Sequence, residues 1–218
     1  MTRLFLLTLG ELSQSYRDSI LSSLSTSKQL TLIKKRPNDL DASLAGYGLL
    51  FYGLAQYYGI DDRLEIGEDQ RGKPHLVNHP DIHFNISHSQ QFVVCAISDQ
   101  QIGVDIEVER MVSNDLAQRI MTEKEFNQFQ NMENSVNYFF TIWTLKESYM
   151  KYTGEGLNMS FKSMNFEIKE DGVSSNLPEV KFHVFEYSKN CHVSVCTTDS
   201  EYSCHELTIS DLKSRSDL

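Results

Sequence analysis

Apolar residues recur along the chain with two different periods, and the changes of period mark the elements. Leu4 to Leu9 is an almost unbroken apolar run of strand length, the pattern of a strand covered on both faces. In Ser13 to Leu24 the spacing becomes helical, with Tyr16, Ile20, Leu21 and Leu24 on one side. Lys34-Lys35-Arg36 then runs into a turn at Pro37-Asn38-Asp39. A long helix is predicted from Leu40 to Tyr58, because Leu44, Tyr47, Leu50, Phe51, Leu54 and Tyr58 recur every three or four residues, with Gly59 as its stop. Short strands are expected at 64–66 and 84–86 around a polar loop, 67–81. Two buried strands follow, FVVCAI from Phe92 and GVDIE from Gly103.

The second half runs through the same order. Helices are predicted at 115–121, 123–129 and 136–152, the last with Phe139, Ile142, Trp143 and Met150 facing inward, and strands at 165–168, 181–187 and 192–197. The helix ending Tyr57-Tyr58-Gly59 matches the one ending Tyr152-Thr153-Gly154, and FVVCAIS from Phe92 resembles HVSVCTT from His192. The chain therefore reads as α+β, in two similar α+β halves of 1–106 and 107–218, joined near Glu107 to Met111.

Composition narrows the partners. Across 218 residues, 40% are hydrophobic and 23% charged, as in a folded protein, and the formal net charge is −10. A body that acidic repels duplex nucleic acid and anionic membrane surfaces, so neither is an expected partner. No apolar run reaches the ~18 residues of a membrane span, and the opening run, broken by Thr8, reads as a strand and not a leader. The four cysteines form no CxxC pair and are expected as reduced thiols, so the expected location is the cytoplasm.

Candidate chemistry lies in four places. In GVDIE, Asp105 and Glu107 fall on one face of a strand, where two carboxylates suit either a hard cation such as Mg²⁺ or a solvated strand end. On the helix, Trp143, Glu147 and Lys151 stand at successive i, i+4 positions, which offers a further metal ligand or a general base with a phosphate-facing ammonium, or a plain helical ion pair. The loop Arg71-Gly72-Lys73-Pro74-His75 places two cations around a glycine, and Ser87 and His88 add a hydroxyl and an imidazole at the end of a strand. Each signal is weak by itself.

In this order, GKP, FNISHS, GVDIE and WTLKESYMKY together resemble the 4′-phosphopantetheinyl transferases of the larger, monomeric type, which act on carrier proteins of peptide and polyketide synthesis. The resemblance is strong over about 71–156. It implies a pseudo-twofold α+β fold with coenzyme A in the cleft between the halves. It also implies Mg²⁺, or Mn²⁺, held by Asp105, Glu107 and Glu147 with the pyrophosphate of coenzyme A. Lys73, Ser87, His88 and Lys151 match positions that contact the phosphates or the nucleotide, and Arg71, Pro74 and Lys146 of the same motifs join the expected coenzyme A-binding set. Glu125 matches another acidic position whose role stays open. In the implied reaction a carrier serine attacks the β-phosphorus of coenzyme A and 3′,5′-ADP leaves. Glu147, directly or through a metal-bound water, serves as base, and Lys151 balances the charge that builds up.

Where the family often has a basic residue for the 3′-phosphate, this chain has Asp41-Ala42-Ser43. Lys34, Lys35 and Arg36 are then the nearest substitutes, or else a solvated basic face. The carrier is an acyl, peptidyl or polyketide carrier protein, and the 111–132 segment is expected to meet it. The alternatives are an Mg²⁺-dependent nucleotide-phosphate hydrolase and a coenzyme A-binding relative without transferase activity.

Overall fold

In the computed structural model, which describes residues 1–61, 64–170 and 172–212, the chain separates into two units. One is Met1–Gln101 with the segment from Glu201, and the other is Ile102–Ser200.

The first unit opens with β1 (Thr2–Thr8), the predicted apolar strand. Next is α1 (Gln14–Ser23), whose N-terminus is closed by Ser13 Oγ accepting the Tyr16 N–H at 3.2 Å. After α2 (Thr26–Leu32) comes α3 (Pro37–Tyr58), with Pro37 in its first turn, where a missing N–H costs nothing. A small hairpin, β2 (Ile66–Glu68) with β3 (Pro74–Leu76), precedes β4 (His83–Ser89) and β5 (Phe92–Ser98). The main sheet is completed by β11 (Tyr202–Leu207), which lies parallel to β1, giving the order β11-β1-β5-β4. Residues of α3 such as Leu49, Leu50 and Leu54 pack with Phe5, Val93 and Ile97 of the sheet to form this unit's core.

The second unit opens with β6 (Ile102–Val108), followed by α4 (Asn114–Ile120), α5 (Glu123–Asn131) and the long α6 (Ser135–Thr153). A hairpin of β7 (Phe166–Lys169) and β8 (Gly172–Ser175) precedes β9 (Lys181–Ser188) and β10 (Cys191–Thr197). The three-stranded sheet is ordered β6-β10-β9, and Phe139, Phe140, Leu145, Met150 and Phe166 form its own core.

Each unit thus has a strand, two short helices, a long helix, a hairpin and an antiparallel strand pair, whose second strand lies beside the first strand of the unit. The expected likeness between FVVCAIS and HVSVCTT falls on β5 and β10, which occupy that same inner position. The expected boundary at 106/107 falls inside β6. That strand pairs along its length with β10, so it belongs wholly to the second unit, while β11 returns to the first. Ser87 and His88 lie within β4, which is longer than predicted, and α2, β3, β8 and β11 are elements the periodicity did not mark.

Candidate active site

The second unit holds the carboxylates. Asp105 and Glu107 sit opposite Ser194 and His192 on the face of β6 that α6 covers. The cover is close: a Cβ at Gly103 would strike the Ser148 carbonyl oxygen and the Tyr152 nitrogen, so only glycine lets the helix backbone approach this far. Lys151, in the last turn of α6, donates to Asp105 Oδ1 at 2.6 Å. Glu107 accepts from Arg110 at 2.7 Å, and Arg110 also lies 5.0 Å over the Phe140 ring. Glu147 is half-buried one turn before Lys151. Burial raises its pKa above the ordinary carboxylate range, the nearby charges of Asp105 and Glu107 add to that, and Lys151 offsets part of it. Asp105, Glu107 and Glu147 therefore share one electrostatic neighbourhood, as their spacing on strand and helix requires.

Among the described residues no group of three or more His, Cys, Asp and Glu side chains is arranged to hold a metal ion. The donor set nevertheless fits a hard divalent cation in its chemistry. All its ligating atoms are carboxylate oxygens, and their mutual repulsion registers at Glu147. Here Lys151 and Arg110 occupy the carboxylates instead.

Lys146, next to Glu147 in sequence, is corrected as a candidate coenzyme A ligand. It is 0% exposed, and its ammonium is taken up by Glu125 Oε2 at 2.6 Å, the Ile120 carbonyl at 2.9 Å and the Phe161 carbonyl at 3.0 Å. An ammonium has three protons to donate, so none remains for a ligand. Glu125 is equally buried: its other oxygen accepts the Phe166 N–H at 2.9 Å, and Oε2 also accepts the Thr122 N–H, closing a capping box at the start of α5. The acidic residue of open role is thus the counter-ion of Lys146. Burial lowers the Lys146 pKa, and the Glu125 charge works against that fall.

The first unit gathers cations and a cavity. The turn between β2 and β3 is held by Asp69, whose Oδ1 accepts the N–H groups of Arg71 at 2.9 Å and Lys73 at 2.8 Å, with Gly72 at φ 86°. Arg71 is exposed, and Lys73 and Pro74 are half-buried beside it. Burial lowers the pKa of His83, and the neighbouring charge of Lys73 lowers it further, which puts the two within electrostatic reach. On β4, Ser87 is buried and His88 half-buried.

His88 and Arg36 line one cavity of about 950 Å³ together with Glu11, Asp39, Asp41 and Gln91. Arg36 is held by Asp39 at 2.9 Å. Asp41 accepts two bonds of 2.7 Å from Arg17, a cation that the sequence pattern gave no reason to select. Lys34 and Lys35 lie in the turn before α3, and Lys35 donates to Ser43 Oγ at 2.8 Å.

Residues 101–205 match the family described as ACPS, 4′-phosphopantetheinyl transferase superfamily. A Bacillus subtilis protein named 4′-phosphopantetheinyl transferase is 33% identical over 168 residues, 75% of this chain and 72% of that one. The chain belongs to the 4′-phosphopantetheinyl transferase superfamily and is an enzyme of that class. It is also 28% identical over 200 residues to the 4′-phosphopantetheinyl transferase Sfp of Bacillus subtilis strain 168, covering 88% of this chain and 89% of Sfp. Among solved structures, the holo-[acyl-carrier-protein] synthase of Thermotoga maritima overlays 44% of this chain and 61% of its own with a TM-score of 0.38 and 22% identity. That overlay leaves the family assignment on the sequence matches.

Proposed function

We propose that the chain transfers the 4′-phosphopantetheine group of coenzyme A to a serine of an acyl, peptidyl or polyketide carrier protein, in a Mg²⁺-dependent reaction that releases 3′,5′-ADP. The observation that carries the reading is the Asp105–Glu107–Glu147 neighbourhood with Lys151 at its edge. A divalent cation bound by these carboxylates would supply neutralisation of the pyrophosphate charge. The chain's own groups do the rest. Glu147 takes the proton lost by the serine hydroxyl, directly or through water, as the oxygen bonds to the β-phosphorus. The bond from that phosphorus to the bridging oxygen breaks, and Lys151, one turn beyond Glu147, balances the charge left on 3′,5′-ADP.

In the first unit Lys73, with Arg71 and Pro74 shaping its loop, and Ser87 and His88 on β4 are the proposed contacts to the nucleotide and phosphates. Arg36 and His88, which line one cavity, are the proposed contacts to the 3′-phosphate end, with Lys34 and Lys35 in the preceding turn. The carrier is proposed to meet the 111–132 segment, where Met111 is 98% exposed and Met132 41%. The enzyme is proposed to act as a monomer in the cytoplasm, a setting compatible with free thiols at Cys95, Cys191, Cys196 and Cys204. No helix among the described residues is long and apolar enough to cross a membrane.

Incubation with coenzyme A, Mg²⁺ and an apo carrier should add about 340 Da to the carrier, the mass of the group transferred as the new phosphodiester forms. Release of adenine nucleotide without mass gain would instead mark a hydrolase, and neither change would mark a coenzyme A-binding relative without transferase activity.

A further inference from the structure

Helices usually rest on sheets through apolar side chains, which grip without directional preference. In the second unit α6 meets β10 through polar ones. Thr144 Oγ1 and Ser194 Oγ are 2.7 Å apart, and both residues are fully buried. Thr144 Oγ1 also donates to the Thr141 carbonyl at 3.1 Å, which leaves Ser194 as the donor of the pair. One turn earlier Thr141 Oγ1 lies 3.2 Å from His192 Nδ1, and the other ring nitrogen of His192 is 2.8 Å from Glu109 Oε1. Ser194 and His192 are the register partners of Asp105 and Glu107. Each expected ligand on β6 thus has, directly across the ladder, a residue bonded to α6. Farther along the helix the same side meets β6 at Gly103 and Asp105.

From this we propose that Thr144 and Ser194, supported by Thr141 and His192, are positioning residues of the transfer reaction: their hydrogen bonds set where α6 lies along the sheet, and so where Glu147 meets Asp105 and Glu107. The proposal rests on the transferase reading above. Its physical ground is the directionality of hydrogen bonds. A hydroxyl pair at 2.7 Å tolerates little sliding, whereas a Val–Ala contact of similar bulk tolerates more. Glu147 is three residues after Thr144, so a shift of the helix along its axis carries the carboxylate with it. Misplacement by about 1 Å can cost a catalytic group up to a hundredfold in rate.

The test uses Thr144→Val, which keeps the branched shape and removes the hydroxyl, and Ser194→Ala, which removes the partner. Each is expected to lower kcat about tenfold, with KM for coenzyme A within about twofold of wild type. Each should also weaken Mn²⁺ binding several-fold, read by electron paramagnetic resonance without coenzyme A or carrier. Thr144→Ser should restore most of both, and the double variant should be little worse than the poorer single one, because the two changes break one shared bond. If either variant has a lower Tm but unchanged Mn²⁺ affinity and kcat, the seam is structural only and the proposal is overturned; should Thr144→Val fail to fold, Ser194→Ala decides the matter alone. Wild-type protein that binds Mn²⁺ but modifies no carrier would overturn the transferase reading, an outcome distinct from variants that bind the metal as wild type does.

Discussion

Lys146 and Lys151 lie five positions apart on one helix and carry opposite expectations. Removing one partner of a fully buried, hydrogen-bonded ion pair strands the other charge, at a cost of about 3–5 kcal/mol. Lys146→Ala should therefore lower stability by that order in urea unfolding, by exposing Glu125 to an unpaired burial. Lys151→Ala should instead act mainly on kcat, leaving KM for coenzyme A nearly unchanged, and steady-state kinetics of the pair of variants separates the roles. Glu147 gives a pH signature. An acid whose folded pKa is raised holds more protons folded than unfolded, so stability falls as pH rises through the window above the ordinary glutamate value. A divalent cation relieves that repulsion only where the carboxylate is charged. Mg²⁺ should then raise Tm more at about pH 8 than at about pH 5.5 in thermal melts. Spacing brought Asp105, Glu107, Glu147 and Lys151 forward only as candidates beside plainer alternatives, and the resemblance gave them their expected roles. What spacing does not contain is the partner: nothing in WTLKES tells that Lys146 turns inward to Glu125 while Glu147 turns to Asp105.

At the scale of elements, the approach of α6 to β6 has no slack. The atoms that a Cβ at Gly103 would strike belong to the helix backbone, so no rotamer change can make room. Gly103→Ala should cost at least about 1–3 kcal/mol in urea unfolding and reduce transfer more than a remote change of equal cost. The long helices α3 and α6 were legible from a helical period repeated over many residues, and β1, β5, β6 and β10 from an apolar run or an alternation of strand length. The same reasoning could not find α2, seven residues long with Leu30 and the Ile33 that caps its C-terminus facing solvent. Nor could it find β3 and β8, which are three and four residues long. In β11 the run Tyr-Ser-Cys-His-Glu-Leu does not keep a strand's alternation; it is a strand because β1 offers it an edge, a cause located two hundred residues away in sequence.

For the whole molecule, the charge of −10 bears on encounter with a partner. Toward an acidic carrier the mutual repulsion should be screened by salt, and KM for such a carrier should fall as ionic strength rises from about 50 to about 200 mM. Assays of carrier modification across that range check it; a KM that rises would place the contact on a basic patch. The return of β11 to the first unit has another consequence, one of timing. During synthesis β1 emerges early, but the strand that covers its open edge is made only after all of Ile102–Ser200. Until then the first unit presents a bare row of backbone donors and acceptors, a template on which neighbouring nascent chains can pair. A chain cut short near residue 200 would carry every strand of its second unit while its first still lacks one.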